Sequence, residues 1–272
     1  MNQVYLLKFY QKGNMMNEKQ MPVLFVGHGS PMNAIEENEF SQSWKKIGKT
    51  LPRPKAILCI SAHWETPSTQ VTGMAAPKTI HDFYGFPREL NEMRYPAAGS
   101  PDLAERAIQL LGPEQVSIDQ RWGLDHGTWS VLARMYPQAE IPVVQLSLAQ
   151  TRDGQFHYDL AKKLLPLRAE GVLILGSGNV VHNLGMANPD LEAYPWAVEF
   201  DRLVKTCIEN DDHQPLIHFR KQGRAALLAT NSAEHYLPLL YILALKQPNE
   251  KTTFYCEKLF WGSLSMRCVQ FG

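Results

Sequence analysis

The chain has 272 residues, 44% of them apolar and 20% charged, and its 27 Lys and Arg balance 27 Asp and Glu. Such a composition excludes a collagen, a coiled coil or a disordered tail, and the lack of a basic block disfavours nucleic-acid or anionic-membrane partners. A chain this long buries about three quarters of the surface its unfolded form exposes, so it needs neither disulfides nor a structural metal to fold.

Residues 1–20 are polar and pattern-free after Tyr10, and they lack the basic region of a signal peptide. They are read as a flexible N-terminal extension. Residues 21–272 are read as one catalytic domain, because no repeat or low-complexity linker divides them. Runs rich in Val, Ile and Leu, bounded by Gly, Pro and Ser, predict buried strands at 22–27, 55–61, 141–148 and 171–178. Amphipathic stretches predict helices over 40–51, 101–111, 127–136 and 155–165, with Pro101 as a start and Pro137 as a stop. Helices at 194–210 and 232–245 and a strand at 252–259 follow. Strands alternating with helices imply an α/β fold, an αβα sandwich around a mostly parallel or mixed central sheet.

Between Thr72 and Ser100 the periodicity stops, and His81, Phe83, Tyr84, Phe86, Arg88, Arg94 and Tyr95 crowd together. A loop this long in a compact domain is usually functional, here as a lid or a substrate wall. The longest apolar run, Leu237 to Leu245, is nine residues and contains Pro238, against the roughly 18 a bilayer needs. Cys59, Cys207, Cys256 and Cys268 are far apart and form no CxxC pair. Reduced thiols and no membrane span read as a cytoplasmic protein.

Placement makes the nine histidines informative. His28 follows the first strand in VGHGSPMN, His63 the second in SAHWET, and His182 the strand at 171–178 in GNVVHN. In open α/β sheets, ligands bind beyond the carboxyl ends of the strands. His126 (LDHGTW) and His235 (SAEHYLP) sit near predicted helix starts. One histidine alone is more often a satisfied core or surface residue. Three at three strand ends, flanked by Gly and Ser, are what a metal site needs. HExxH, EF-hand and P-loop patterns are missing, GSGNVVHN lacks the GxGxxG spacing, and neither Ser30 nor Ser177 matches GxSxG. His157, His213 and His218 stand in polar surroundings and read as solvated or capping residues.

Six blocks in fixed order, GHGSPMN, SAHWE, IHDFYGFP, DHGTW, GSGNVVHN and EHYLPLL, resemble the LigB-type (class III) extradiol ring-cleavage dioxygenases. Within that family they are most similar to the 4,5-DOPA dioxygenase-like subgroup. The likeness runs from about Pro22 to the C-terminus and implies a single-domain α/β fold with one divalent metal. Fe(II) is expected for activity, and Zn(II) can replace it in purified protein. The implied reaction opens a catechol ring with O2 beside its hydroxyls. For a DOPA-like substrate this gives 4,5-seco-DOPA, which cyclises to betalamic acid.

The resemblance makes His28 and His63 metal ligands, and His235 the third, where protocatechuate-cleaving relatives carry a carboxylate; Glu234 is a rival for that position. It makes His182 the acid–base group, able to approach the metal as a fourth ligand, and His126 a group that orients substrate or oxygen. Three protein ligands leave room for a catecholate and O2. A catechol hydroxyl, with a pKa far above 7, must lose a proton, and an imidazole titrating near 6.5 is a suitable acceptor. His81, Arg88 and Arg94, with Lys78, are candidate substrate contacts, the cations for a carboxylate on the catechol. Two rival readings use the same residues. One is a zinc-dependent hydrolase or amidase with Asp125 or Glu234 as general base; the other is a non-enzymatic Memo-like binding protein. The family's nearest members suggest a monomer.

Overall fold

In a computed structural model that describes residues 20–272, the first apolar run forms strand β1 (Val23–Gly27), buried along its whole length. The expected extension lies outside the described residues except for residue 20. Nine more strands follow: β2 (Ala56–Thr66), β3 (Gln70–Thr72), β4 (Ser117–Asp119), β5 (Val143–Ala149), β6 (Val172–Gly178), β7 (Thr252–Tyr255), β8 (Leu259–Phe260), β9 (Leu264–Ser265) and β10 (Cys268–Phe271). Eight of the ten build one sheet in the order β4-β3-β5-β2-β6-β1-β10-β7. Its centre, β5-β2-β6-β1, is all parallel; β3 meets β5 antiparallel, as β10 does β1 and β7. Central parallel strands are covered on both faces, which is why they read as continuous apolar runs.

The side chains of these strands alternate between two cores. Val23, Phe25, Leu58, Ile60 and Ile174 face one, and Leu24, Val26, Ile57, Cys59 and Leu175 face the other. The first core is roofed by α3 (Pro101–Leu111), α5 (Gly154–Lys162), α6 (Pro166–Ala169), α7 (Pro195–Glu209), α8 (Gln214–Ile217), α9 (Gly223–Ala229) and α10 (Leu237–Ala244). The second is roofed by α1 (Glu39–Thr50), α2 (Arg88–Glu92) and α4 (His126–Met135). The αβα sandwich expected from the alternation of elements is the observed fold. Side-chain caps start the helices that matter for the site: Asn38 and Ser41 cap α1 reciprocally, Asp125 accepts from Thr128 N at α4, and Asp153 from Phe156 N at α5.

Several expectations are corrected. Strand β2 runs to Thr66 instead of ending near Ser61, so His63 sits inside a strand, at a register shift between Ile60 and Glu65. Helix α10 begins at Leu237, five residues after the expected start, with Pro238 in its first turn. The strand expected over 252–259 stops at Tyr255, where Cys256 takes a φ of 52°. His157 is not solvated. It is fully buried, with Nδ1 3.0 Å from Tyr241 Oη.

Burial pulls the His157 imidazole down to about 4 from an ordinary 6.5. The unfolded chain therefore binds a proton in this window that the folded chain refuses. Its stabilising contribution is complete above pH 6.5 and falls by about 3 kcal/mol as the pH drops to 4. His157→Gln is expected to flatten the acid limb of stability by about that amount. Urea midpoints at pH 7 and pH 4.5 measure it, and an unchanged difference between the two would contradict it.

Candidate active site

The carboxyl ends of β1, β2 and β6 lie side by side; His28 and His182 follow β1 and β6, and His63 lies within β2, toward its end. His28 directly follows β1, with its N–H on Gly178 O at 3.0 Å. Gly29 then turns the chain at a φ of 58°, a conformation an L side chain rarely takes. His182 follows β6 by four residues, its N–H on Ala229 O at 2.9 Å. His235 precedes α10 by two residues, and its carbonyl passes so close to Gly178 that a Cβ there would lie 2.1 Å from it. His126 opens α4 from the other face of the sheet.

These five imidazoles form one cluster. His28 Nε2 and His63 Nε2 are 3.1 Å apart. The His63 and His126 rings have centroids 3.9 Å apart, and His235 lies 5.3 Å from His28 and 5.0 Å from His63. His182 stacks flat on His235 at 3.4 Å. Within the cluster, ligand atoms of His28, His63 and His126 fall within 4.8 Å of one another, and so do those of His182, Glu234 and His235. The five sequence-predicted histidines are thus brought together, with His126 as close to the His28–His63 pair as His235 is.

Hydrogen-bond partners assign the tautomers. Ser177 Oγ has one proton and gives it to Gly127 O at 2.5 Å, so His28 Nδ1 donates to Ser177 at 2.9 Å and its Nε2 keeps a lone pair. His235 Nδ1 donates to Glu234 Oε1 at 2.9 Å, a carboxylate that Ser232 Oγ also holds at 2.8 Å. His63 Nδ1 faces Asp82 Oδ2 at 3.5 Å. Asp82 Oδ1 in turn accepts from the His126 backbone N–H at 3.0 Å and lies 2.9 Å from His126 Nδ1. An accepting oxygen beside each Nδ1, the Ser177 hydroxyl for His28 and a carboxylate for the others, leaves Nε2 free, the arrangement by which an outer partner fixes a metal-binding imidazole.

The electrostatics agree. Burial holds His28 and His235 well below the usual imidazole range, and neighbouring histidines push further in the same direction. Burial and then His126 bring His63 to about 3. Burial brings His182 to about 4 even though Glu234 opposes it. Burial alone would raise Asp82, but its bond to His126 and the charges of His126 and His63 take it to about 2. Four uncharged imidazoles therefore face one another over a network of carboxylates. Two lone pairs 3.1 Å apart repel unless a cation lies between them, and a metal with nitrogen ligands at about 2.1 Å sets neighbouring nitrogens about 3 Å apart. The donor set fits a single metal site.

The aromatic loop lies beside this cluster through Phe83, whose ring stands edge-on to His126 at 5.6 Å and to Phe86 at 5.2 Å. The candidate substrate cations do not turn inward. Arg88 is 87% exposed and pairs with Glu92, while Arg94 donates to Asn91 O and Met93 O. His81 sits at Met93 O, 3.0 Å away, and 5.6 Å from the Trp129 ring. Asp125 is wholly buried, bonded to Ser61 Oγ at 2.7 Å and Gln145 Nε2 at 2.6 Å, and it caps α4. The sequence reading overlooked Asp82, though it adjoins His81 in IHDFYGFP. It also missed the part played by Ser177, because a serine in a glycine-rich turn was weighed only as a nucleophile.

The family described as the catalytic LigB subunit of aromatic ring-opening dioxygenase matches residues 22–261. The chain belongs to this family. It is 46% identical over 267 residues to a protein of Escherichia coli (strain K12) named 4,5-DOPA dioxygenase extradiol, covering 96% of this chain and 98% of that relative. A Beta vulgaris protein of the same name is 41% identical over 256 residues, with 91% and 95% covered. The crystal structure of an uncharacterised E. coli K12 protein superposes with a TM-score of 0.81 at 43% identity, over 93% of this chain and 100% of that one. As a LigB-family protein the chain is an enzyme of the extradiol dioxygenase class. Among the described residues, no helix is long and apolar enough to cross a membrane.

Proposed function

We propose that this LigB-family enzyme opens the ring of a DOPA-like catechol with O2 in the cytoplasm, using a metal held by His28, His63 and His235. The observation that carries the reading is the convergence of buried, uncharged imidazoles whose outer nitrogens are fixed by Ser177, Asp82 and Glu234. Fe(II), when bound, supplies open coordination positions and the redox change that O2 chemistry requires.

The chain's own residues supply the proton chemistry and the walls. Among the described residues the His182 side chain makes no hydrogen bond, and its ring lies flat on His235. An uncharged, unengaged imidazole there can take the proton of a catechol hydroxyl and return it to the opened ring. His126, held at its backbone by Asp82, packs against His63 and orients what binds beside the pair. Phe83 and Phe86 keep water from that side. Glu234 Oε1 accepts from His235 Nδ1 and Ser232 Oγ, which supports a positioning role for it beside His235 as the third ligand. Asp125, one of the two candidate bases of the rival hydrolase reading, is already engaged by Ser61, Gln145 and the α4 cap.

Protein reloaded anaerobically with Fe(II) and given L-DOPA is expected to consume O2 in step with substrate and form a yellow product. Stoichiometric iron with no oxygen uptake on several catechols would overturn the proposal. Ser177→Ala removes the acceptor that keeps His28 in its Nδ1–H form. It is expected to weaken metal affinity by about 10- to 100-fold, measured by competition with a chelator, while leaving the circular dichroism unchanged.

A further inference from the structure

Beyond β5, on the same edge of the sheet as the histidines, the chain forms a cavity of about 450 Å³ that the proposed reaction does not use. Its rim carries Arg152, Arg220 and Lys221. None of the three pairs with a carboxylate among the described residues, whereas Arg53, Arg106 and Lys162 are examples of surface cations that do. Asp153 is the one carboxylate on the lining, and it is committed to the α5 cap at Phe156 N, 3.0 Å away. In a chain whose charges sum to zero, three cations gathered around one hollow repel each other and focus a positive potential into it.

The hollow is preorganised. The Arg152 guanidinium lies 5.0 Å over the Phe156 ring, which fixes its stem. Gly154 fits only because it has no Cβ, since one would lie 2.4 Å from Ile217 O. Ile217, Phe219 and Leu237 supply apolar walls. The volume falls within the roughly 300–1,000 Å³ of small-molecule sites. Guanidinium groups match carboxylate geometry, and their weak hydration favours partly apolar surroundings. A bare phosphate would leave the three apolar walls uncovered.

We propose that this cavity binds a small organic anion, a carboxylate joined to an apolar body, through Arg152, Arg220 and Lys221. The site is separate from the metal ligands but touches their support, because Ala233 and Leu237 line it and bracket Glu234 and His235. Occupancy steadies that turn, where Tyr236 N and Leu237 N both donate to Ala233 O.

Calorimetric titration of the metal-loaded protein with 3-phenylpropionate, which has no catechol to chelate the metal, tests the proposal. Saturable binding is expected. It should weaken at least about tenfold in the Arg152→Gln, Arg220→Gln double variant, and by as much for neutral 3-phenylpropanol on the native protein. Both arginines are exposed, so the variant keeps the fold and the histidine cluster. Hydrogen exchange at Tyr236 and Leu237 should slow on binding in the native protein alone. Equal affinity for acid and alcohol, or for native protein and variant, would overturn the site. Inorganic phosphate binding as tightly as the acid would overturn the apolar part of the assignment.

Discussion

Replacing His182 with alanine is expected to lower kcat for catechol cleavage by a factor of about 10²–10⁴, while the protein still binds stoichiometric metal. The two halves of this result come from different parts of the geometry. The lone pairs that fit a metal belong to imidazoles with an outer partner on Nδ1: Ser177 for His28, Asp82 for His63 and Glu234 for His235. His182 has no such partner and is stacked on His235 instead. A group with nothing fixing its protons can gain and lose one during turnover, and burial keeps it neutral beforehand. His182→Gln fills a similar volume without the basicity, so it should fail as alanine does. The fall should appear in kcat with KM little changed, the sign of an interaction made in the transition state. Metal lost in proportion to activity would make His182 a ligand and remove its assignment as the proton carrier.

The parallel core of the fold was legible because strands buried on both faces need unbroken apolar runs; β1, β5 and β6 fall where those runs lie. Helix α3 was legible from its amphipathic stretch and from Pro101, which lies in its first turn; Ser100 caps it and Gly112 ends it. Strands β3 and β4 were not, because three residues show no period. Nor was β10, whose CVQF pairs with β1 and β7 through contacts far apart in sequence. His157 misled because its neighbours along the chain are polar, whereas burial depends on which side of α5 faces α10.

At the site the imidazoles could be read and their supports could not. A histidine after a strand is visible as a string of letters. The partner that fixes its tautomer comes from elsewhere: Ser177 is 149 positions from His28. Asp82 reaches His126 from a loop 44 positions away. The same reason hid the orientation of Arg88 and Arg94. Sequence shows cations near aromatics, but only the folded loop shows that Arg88 turns to Glu92 and Arg94 to backbone carbonyls.

The opposite edge of the sheet carries the largest expected effect on stability. Arg168 has no exposed side-chain surface, yet its guanidinium donates to Met21 O at 2.8 Å, to Leu245 O at 2.6 Å and to both oxygens of Glu250. Met21 leads into β1 and Leu245 closes α10. One side chain therefore ties the far ends of the two elements whose near ends present His28 and His235. Arg168→Met keeps much of the volume but leaves a shielded carboxylate and two carbonyls without their donor. Breaking one side of a buried pair costs about 3–5 kcal/mol, so the urea midpoint should fall by that equivalent. Activity per folded molecule should stay near the native value, because the histidine supports are untouched. The double variant Arg168→Met, Glu250→Leu separates the causes: removing the stranded charge should recover part of the loss. If the single and double variants were equally unstable, the carboxylate would not be the source of the cost, and the two orphaned carbonyls would account for it instead.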